Sequence, residues 1–145
     1  MNIVPLVGLK IIEFGDSKEK AIELFGKPDV IENELGKDGV SSEIWKYQSE
    51  GIQLDFDPDY GFKLWGISLS SEMSQLNSIR PIGFSEIELL AHFPALVLKM
   101  SDGIFKEYVD SAKELEFFLR NNIVKRIDLS PNLDDYINRF GEIGN

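Results

Sequence analysis

Apolar and polar residues alternate along several short segments of the chain. In residues 52–56 and 65–69 the apolar positions include Leu54, Phe56, Ile67 and Leu69, with polar residues or glycine between most of them. A spacing of two places these apolar side chains on one side of an extended strand. The pattern therefore predicts strands of a sheet that buries one face.

Two other segments have helical rather than alternating patterns. Each begins with a Gly-x-Ser sequence and continues into an apolar run, reading GDSKEKAIELFGKP at residues 15–28 and GFSEIELLAHFP at residues 83–94. Ser17 and Ser85 are typical helix N-caps, and Ser85 with Glu88 has the spacing of a capping box. Pro28 and Pro94 are expected to end the helices.

The strand pattern after the first helix recurs after the second. The pair Leu54 and Phe56 returns as Leu115 and Phe117, each at the same distance from a preceding tyrosine, and Ile67 and Leu69 return as Ile127 and Leu129. Matched landmarks in the same order indicate an internal duplication. We predict an α+β protein of two tandem repeats, each a helix followed by a three- to four-stranded antiparallel sheet.

This interpretation divides the chain into three parts. Residues 1–76 form the first helix-plus-sheet repeat and residues 77–131 the second. Residues 132–145 contain apolar positions at helical spacing, so we expect a C-terminal helical tail that packs on the body.

The sequence LDFDPDYGF at residues 54–62 resembles the start of a calcium loop. An EF-hand loop counted from Asp55 needs glycine at its sixth position and glutamate at its twelfth, where this chain has Tyr60 and Gly66. The segment 57–61 has instead the residues of a tight turn, in which Pro58 fixes one dihedral and Gly61 accepts a positive φ. We predict a hairpin turn here, a similar turn at residues 121–122, and no metal site.

Composition restricts the possible functions further. The net charge of −10 disfavours binding to nucleic acid or to an anionic membrane but permits a basic protein partner. The chain has no cysteine and one histidine, His92, so it lacks the residues for a disulfide, a thiolate site or a histidine pair. No P-loop, dinucleotide-binding or serine-hydrolase motif is present. We predict a protein that is not an enzyme and has no cofactor.

The N-terminal segment and the expected edge strands bear on localisation and on oligomeric state. The N-terminal residues lack a basic region and a cleavage site, and no apolar run reaches the length of a membrane helix. The sequence therefore predicts a cytoplasmic protein without membrane contact. An exposed edge strand also permits a homodimer.

The comparison of the two halves suggests a binding patch. Trp45 aligns with Lys106 and Trp65 with Lys125, so these positions tolerate water, and exposed aromatic residues are enriched in interface hot spots. The candidate partner-binding patch consists of Trp45, Tyr60, Phe62 and Trp65, edged by Asp57 and Asp59. The alternative is that both tryptophans complete the core of the first half.

The order of these segments, including LFGKPD, IWKY, IQLDF and LWGISLS, resembles two known groups. One is the β-lactamase inhibitor protein-like architecture, and the other is the small outer-membrane lipoprotein module of the SmpA/OmlA type. The chain departs from the disulfide-containing inhibitor, and from the lipoproteins with their lipidated cysteine, because it has no cysteine.

The resemblance implies a protein that binds another protein through its sheet. We therefore predict an inhibitor or immunity-type protein with a basic partner. The alternatives are a structural or assembly module of the lipoprotein type and a small-ligand carrier.

Overall fold

The structure is a computed structural model that describes residues 1–36, 39 and 41–141. The helices in this part of the chain are α1 (Lys18–Phe25), α2 (Glu86–His92) and α3 (Leu133–Phe140). A two-stranded sheet consists of β1 (Ile3–Val4) and β2 (Gly8–Leu9). The main sheet contains β3 (Val30–Leu35), β4 (Ser41–Tyr47), β5 (Ile52–Asp57), β6 (Lys63–Leu69), β7 (Val97–Asp102), β8 (Phe105–Asp110), β9 (Leu115–Arg120) and β10 (Ile123–Leu129).

All eight strands of the main sheet form one antiparallel array in the order β3-β4-β5-β6-β10-β9-β8-β7. The predicted fold of two tandem repeats, each a helix followed by a three- to four-stranded sheet, is therefore wrong. Residues Ile67–Leu69 of β6 pair with residues 127–129 of β10, and this seam joins the strands of the two halves into one sheet. The seam satisfies backbone groups that two separate sheets would leave unpaired at their edges.

The sequence pattern gave no bounds for the first strand after each helix. The segments between each helix and the next aromatic strand form β3 and β7, the two edge strands. Both lie mostly in solvent. An edge strand buries little of either face, so its sequence lacks the clear alternation that marked the inner strands.

Helices α1 and α2 lie on the same face of the sheet, called here the helix face. Tyr47 on this face contacts Phe25, the last residue of α1, and its hydroxyl donates to the carbonyl of Gly26 at 2.9 Å. Phe117, four strands away in the sheet, contacts Phe93 at the end of α2. Most of the buried core is formed on the helix face by Trp45, Tyr47, Ile52, Leu54, Phe56, Leu64, Ile67, Leu69, Tyr108, Leu115, Phe117, Leu119, Val124, Ile127 and Leu129, which pack with Leu89 and Ala21 of the helices.

The capping predictions are confirmed. The side chain of Ser17 accepts from the backbone of Lys20, and Ser85 and Glu88 form a complete capping box. Just before each serine, the chain pairs with a strand: Leu64 donates to the carbonyl of Asp16, and Val124 donates to the carbonyl of Phe84. The Gly-x-Ser segments therefore start the helices and also anchor them to β6 and β10.

No helix in the described part of the chain is both long and apolar enough to span a membrane.

Candidate functional site

Trp45 lies in the core on the helix face. It is 5% exposed, and its ring packs against Phe56 with 5.0 Å between centroids. Its indole nitrogen donates to Glu43 at 3.0 Å, so the one polar atom of the ring has a partner. Trp45 therefore has the environment of the core alternative rather than of an exposed patch residue.

Phe62 is covered by α1. The ammonium of Lys18 lies 3.8 Å from the centroid of the Phe62 ring and 5.9 Å from that of Trp45. Lys18 also donates to the carboxylate of Glu43. Burial acts to raise the pKa of Glu43, but its hydrogen bonds with Lys18 and Trp45 outweigh this effect and lower the pKa.

Trp65 and Tyr60 lie against α3. Tyr136 of this helix is buried, and its ring meets Trp65 and Tyr60 edge-on at centroid distances of 5.2 and 5.3 Å. Trp65 is placed there by a β-bulge, where the register of β6 shifts opposite Asp55 and Phe56. A bulge redirects side chains relative to the regular alternation of a strand.

Asp57 and Asp59 belong to the predicted turn, which is confirmed. Residues Pro58–Tyr60 form a 3-10 turn, the side chain of Asp57 accepts from the backbone of Asp59 at 2.9 Å, and Gly61 has a φ of 70°. Asp59 is exposed at the tip. The second predicted turn is also present, since Asn121 and Asn122 both have positive φ.

The six predicted residues are therefore close in the chain but are divided between different contacts. Trp45 and Phe62 lie under Lys18 of α1, whereas Tyr60 and Trp65 lie under Tyr136 of α3. Sequence comparison missed this division because the covering residues come from other elements. It cannot distinguish an aromatic ring covered by a helix from one that faces water.

The opposite face of the sheet, called here the polar face, has a different character. The strand registers connect Gln53 to Ser68, Ser68 to Asp128, and Asp128 to Glu116 across four neighbouring strands. Asp55 points to the same side as Gln53, because the two are separated by one residue of β5. All five side chains are half-buried, so the middle of this face combines polar groups with limited contact with water.

Asp55 is the most strongly perturbed carboxyl of the polar face. Burial raises its pKa to about 6, and the nearby carboxylates of Asp128 and Glu34 also raise it, against a hydrogen bond from Gln53 at 3.3 Å. Gly66 lies opposite Asp55, and a Cβ atom at this glycine would lie only 3.2 Å from the Asp55 carboxylate. The absence of a side chain at Gly66 leaves room for the carboxyl group.

Asp128 is the second half-buried carboxyl in the middle of this face. Burial raises its pKa, while Ser68 and Arg126 oppose the shift. Arg126 forms an ion pair with it, with Nε 3.0 Å from Oδ1 and Nη2 donating to Oδ2 at 3.5 Å. The guanidinium of Arg126 also lies over the ring of Phe118, 3.9 Å from its centroid. The charge of Asp128 is therefore only partly compensated.

A shallow groove of about 250 Å³ opens where β4 and β6 end and β5 begins, and neither Asp55 nor Asp128 lines it. Its walls include Lys46 and Arg126, and Gln53, Ser68 and Ser70 contribute polar groups. Such a recess is large enough for one side chain of a partner. Sequence reasoning did not select Asp128, which aligns with Ser68 in the repeat comparison and lies opposite it only through the pairing of β6 with β10.

Comparisons with known proteins show similarity at the level of the fold. No family model matches the chain, and no curated protein matches it. Three solved structures do: an extracellular SCP-domain protein of Bacillus anthracis (13% identity, TM-score 0.50), the uncharacterized protein yfeY of Escherichia coli (10%, 0.56) and the DUF4309 family protein YjgB of Bacillus subtilis (11%, 0.53).

The aligned lengths differ among these structures. The match covers 87% of this chain but 46% of the SCP-domain protein, so the chain spans less than half the length of that protein. It covers 89% of this chain and 96% of yfeY, and 86% of this chain and 84% of YjgB. At these identities the likeness concerns the fold alone. The resemblance to inhibitor proteins and lipoprotein modules stays a prediction.

Among the described residues, no group of three or more histidine, cysteine, aspartate or glutamate side chains is arranged to hold a metal ion.

Proposed function

We propose that this chain is a non-enzymatic protein-binding module, of the inhibitor or immunity type, whose polar face binds a basic protein partner. The observation that carries the proposal is the pair of half-buried carboxyls, Asp55 and Asp128, in the middle of an eight-stranded sheet. Their position costs stability in the free protein, and a cation supplied by a partner offsets that cost.

The surroundings of this pair favour a cationic ligand. Asp128 and Glu34 act to raise the pKa of Asp55, and Glu116 acts to raise the pKa of Asp128. Arg126 opposes both effects, while Glu116 is paired with Lys99 at 3.1 Å. With a net charge of −10, the whole protein attracts basic partners over longer distances. A lysine or arginine of the partner that packs over Gln53 and Ser68, outside the groove that Lys46 and Arg126 line, meets Asp55 and Asp128 in a partly dehydrated environment.

A protein is a better fit for this site than a small molecule. The sheet offers a broad surface, and the groove is open and shallow rather than enclosed. Small-molecule sites bury most of their ligand in a cavity, whereas protein interfaces combine a flat surface with a few recesses for anchoring side chains. The polar face, with its flat surface and shallow groove, has the features of a protein interface.

The test is affinity capture with purified wild-type protein and with the D55N/D128N double variant, at low and high salt, read by quantitative mass spectrometry. We expect wild type to capture one basic protein in stoichiometric amount and to release it at high salt. The double variant is expected to capture about tenfold less or worse, because both anionic anchors are removed.

The matched control is E19Q/E23Q, which makes the same change in net charge on exposed residues of α1. It is expected to retain the partner. If D55N/D128N captures the same protein as strongly as wild type does, the interface lies elsewhere. Capture of no basic protein by the wild type at either salt concentration contradicts the proposed function.

A further inference from the structure

The edge strand β3 exposes a hydrogen-bonding edge along its whole length. It pairs with β4 in a regular antiparallel register over six residue pairs, and it is the terminal strand of the sheet. Five of its six residues are exposed. An exposed edge of this kind is a template for a further strand.

The direction of the backbone groups follows from one hydrogen bond in the sheet. The backbone N–H of Ser70 donates to the carbonyl of Gly51. The backbone N–H and C=O groups of odd-numbered residues in β5 therefore point toward β6, and those of even-numbered residues point toward β4. The same alternation, followed through the registers of β4 and β3, directs the backbone groups of Glu32 toward β4. The backbone groups of Ile31, Asn33 and Leu35 point outward.

The two sides of β3 carry different side chains. Glu32 and Glu34 lie on the polar face, where Glu32 forms an ion pair with Lys46 at 3.1 Å, and the register connects Glu32 through Ile44 to Asp55. Ile31 and Leu35 lie on the helix face and are 51% and 72% exposed. A complementary strand therefore has basic side chains on one side and apolar side chains on the other.

The opposite edge of the sheet is protected. The register of β7 shifts between Leu98 and Met100, and Lys99 at this bulge pairs with Glu107 and Glu116 at 3.4 and 3.1 Å. A bulge and a lysine are two means by which natural sheets block the addition of strands. Strand β3 has neither, and its pairing with β4 is uninterrupted.

We propose that β3 accepts an extended segment of the partner, with alternating basic and apolar side chains, as a ninth antiparallel or parallel strand. This inference rests on the proposed function and names the part of the partner that the site takes. The occupant is not a second copy of β3, because Glu32 and Glu34 would then lie beside the same residues of the other copy. Strand addition places the basic residues next to Glu32 and Glu34 and directs them toward Asp55.

The probe is a short fluorescent peptide with alternating lysine and valine, whose binding is measured by fluorescence polarisation. The decisive variant is N33P, which removes an outward N–H without removing a bond to β4. The matched control is S101P on β7. The hydrogen bond from Ser130 to Glu114, followed through β9 and β8, shows that the Ser101 backbone also points outward.

We expect N33P to bind the peptide roughly tenfold more weakly than wild type. S101P is expected to bind it unchanged, and the same peptide with every backbone nitrogen methylated is expected to lose most of its affinity at equal charge. Circular dichroism melting curves verify that both proline variants are folded. Equal binding by N33P and wild type, or an equal loss in N33P and S101P, overturns the inference.

Partner capture separates this inference from the proposed function. If N33P captures the basic partner as well as wild type does while D55N/D128N does not, the polar face binds the partner but strand addition is refuted. If N33P loses the peptide and no basic protein is captured by wild type, β3 accepts strands but the proposed function fails. Dimerisation of the wild type that N33P abolishes, measured by light scattering, would identify a second copy as the occupant and contradict the proposal.

Discussion

The ammonium of Lys18 lies 3.8 Å from the centre of the Phe62 ring and at the same time binds the carboxylate of Glu43. Glu43 in turn accepts from the indole of Trp45. Lys18 of α1 therefore contacts both its ion-pair partner Glu43 and the aromatic rings of Phe62 and Trp45. This arrangement closes the end of the core where residues 57–62 leave the sheet.

We expect K18M to lower the free energy of unfolding by about 1–2 kcal/mol at pH 7, because it removes the cation and keeps most of the apolar stem. Urea denaturation measures the change, with K27M on an exposed lysine as the control. The pKa of Glu43 is lowered, so the stabilisation by this pair is present above its ordinary value of 4.5 and disappears as the pH falls through the folded value. A K18M defect that persists undiminished at pH 2 contradicts this account.

The two tryptophans are expected to respond differently to removal. W45A empties a core position and should cost about 3–5 kcal/mol. W65A removes a half-buried ring under α3 and should cost less, about 1–3 kcal/mol, while it releases α3. Hydrogen exchange measures the second effect as faster exchange in residues 133–140 without a similar change in β5. Equal losses of stability, with α3 still protected in W65A, would show that the two rings have the same role.

Tyr136 offers a test of a buried polar atom. Its ring is 2% exposed, and its hydroxyl has no hydrogen-bond partner among the described residues. Burial raises its pKa, and the nearby Asp57 and Tyr60 add to that shift, so the hydroxyl stays neutral at pH 7. We expect Y136F to be neutral or stabilising by up to about 1 kcal/mol in thermal denaturation. A loss above about 1 kcal/mol would reveal a partner for the hydroxyl.

Asp55 makes the stability of the protein depend on pH. Its folded pKa of about 6 exceeds its ordinary value of 3.8, so the folded state binds more protons between these values. The contribution of Asp55 to stability is therefore present below about pH 4 and declines as the pH rises through 6. We expect D55N to be more stable than wild type at pH 7 by about 1–2 kcal/mol, a figure reduced for partial solvent contact.

Urea denaturation of wild type and D55N from pH 4 to pH 7 measures this difference, and D59N at the exposed turn is the control. The two stability curves should converge near pH 4. A wild-type protein that is more stable than D55N at pH 7 would show that the Asp55 carboxylate already has a compensating cation in the free protein.

Local signals in the sequence predicted local structure well. The serines before α1 and α2, the turn at Pro58 and Gly61, and the positive φ of Asn121 all follow from what one or two residues prefer. The alternation of Leu54 with Phe56 and of Ile127 with Leu129 correctly identified the buried side of the inner strands.

Local sequence patterns did not predict features that depend on contacts between residues far apart in the chain. The repeat pattern is compatible with two separate sheets or with one, because the pairing of β6 with β10 leaves no mark on the alternation of either strand. The polar face was missed for the same reason, since Asp55 and Asp128 become neighbours only through this pairing. The environment of Trp65 depends on where α3 packs, and the spacing of nearby residues does not predict that position.

The pairing of β6 with β10 also bears on how the chain reaches its native state. Its partners, such as Leu69 and Ile127, are about 60 positions apart in the chain, whereas the other pairings of the main sheet join consecutive strands. Loop-closure entropy opposes early contact between such distant segments, so each run of four strands has time to assemble first. We therefore expect Asp55 and Asp128 to meet only when the two runs of four strands join, so that the acidic surface forms late in folding.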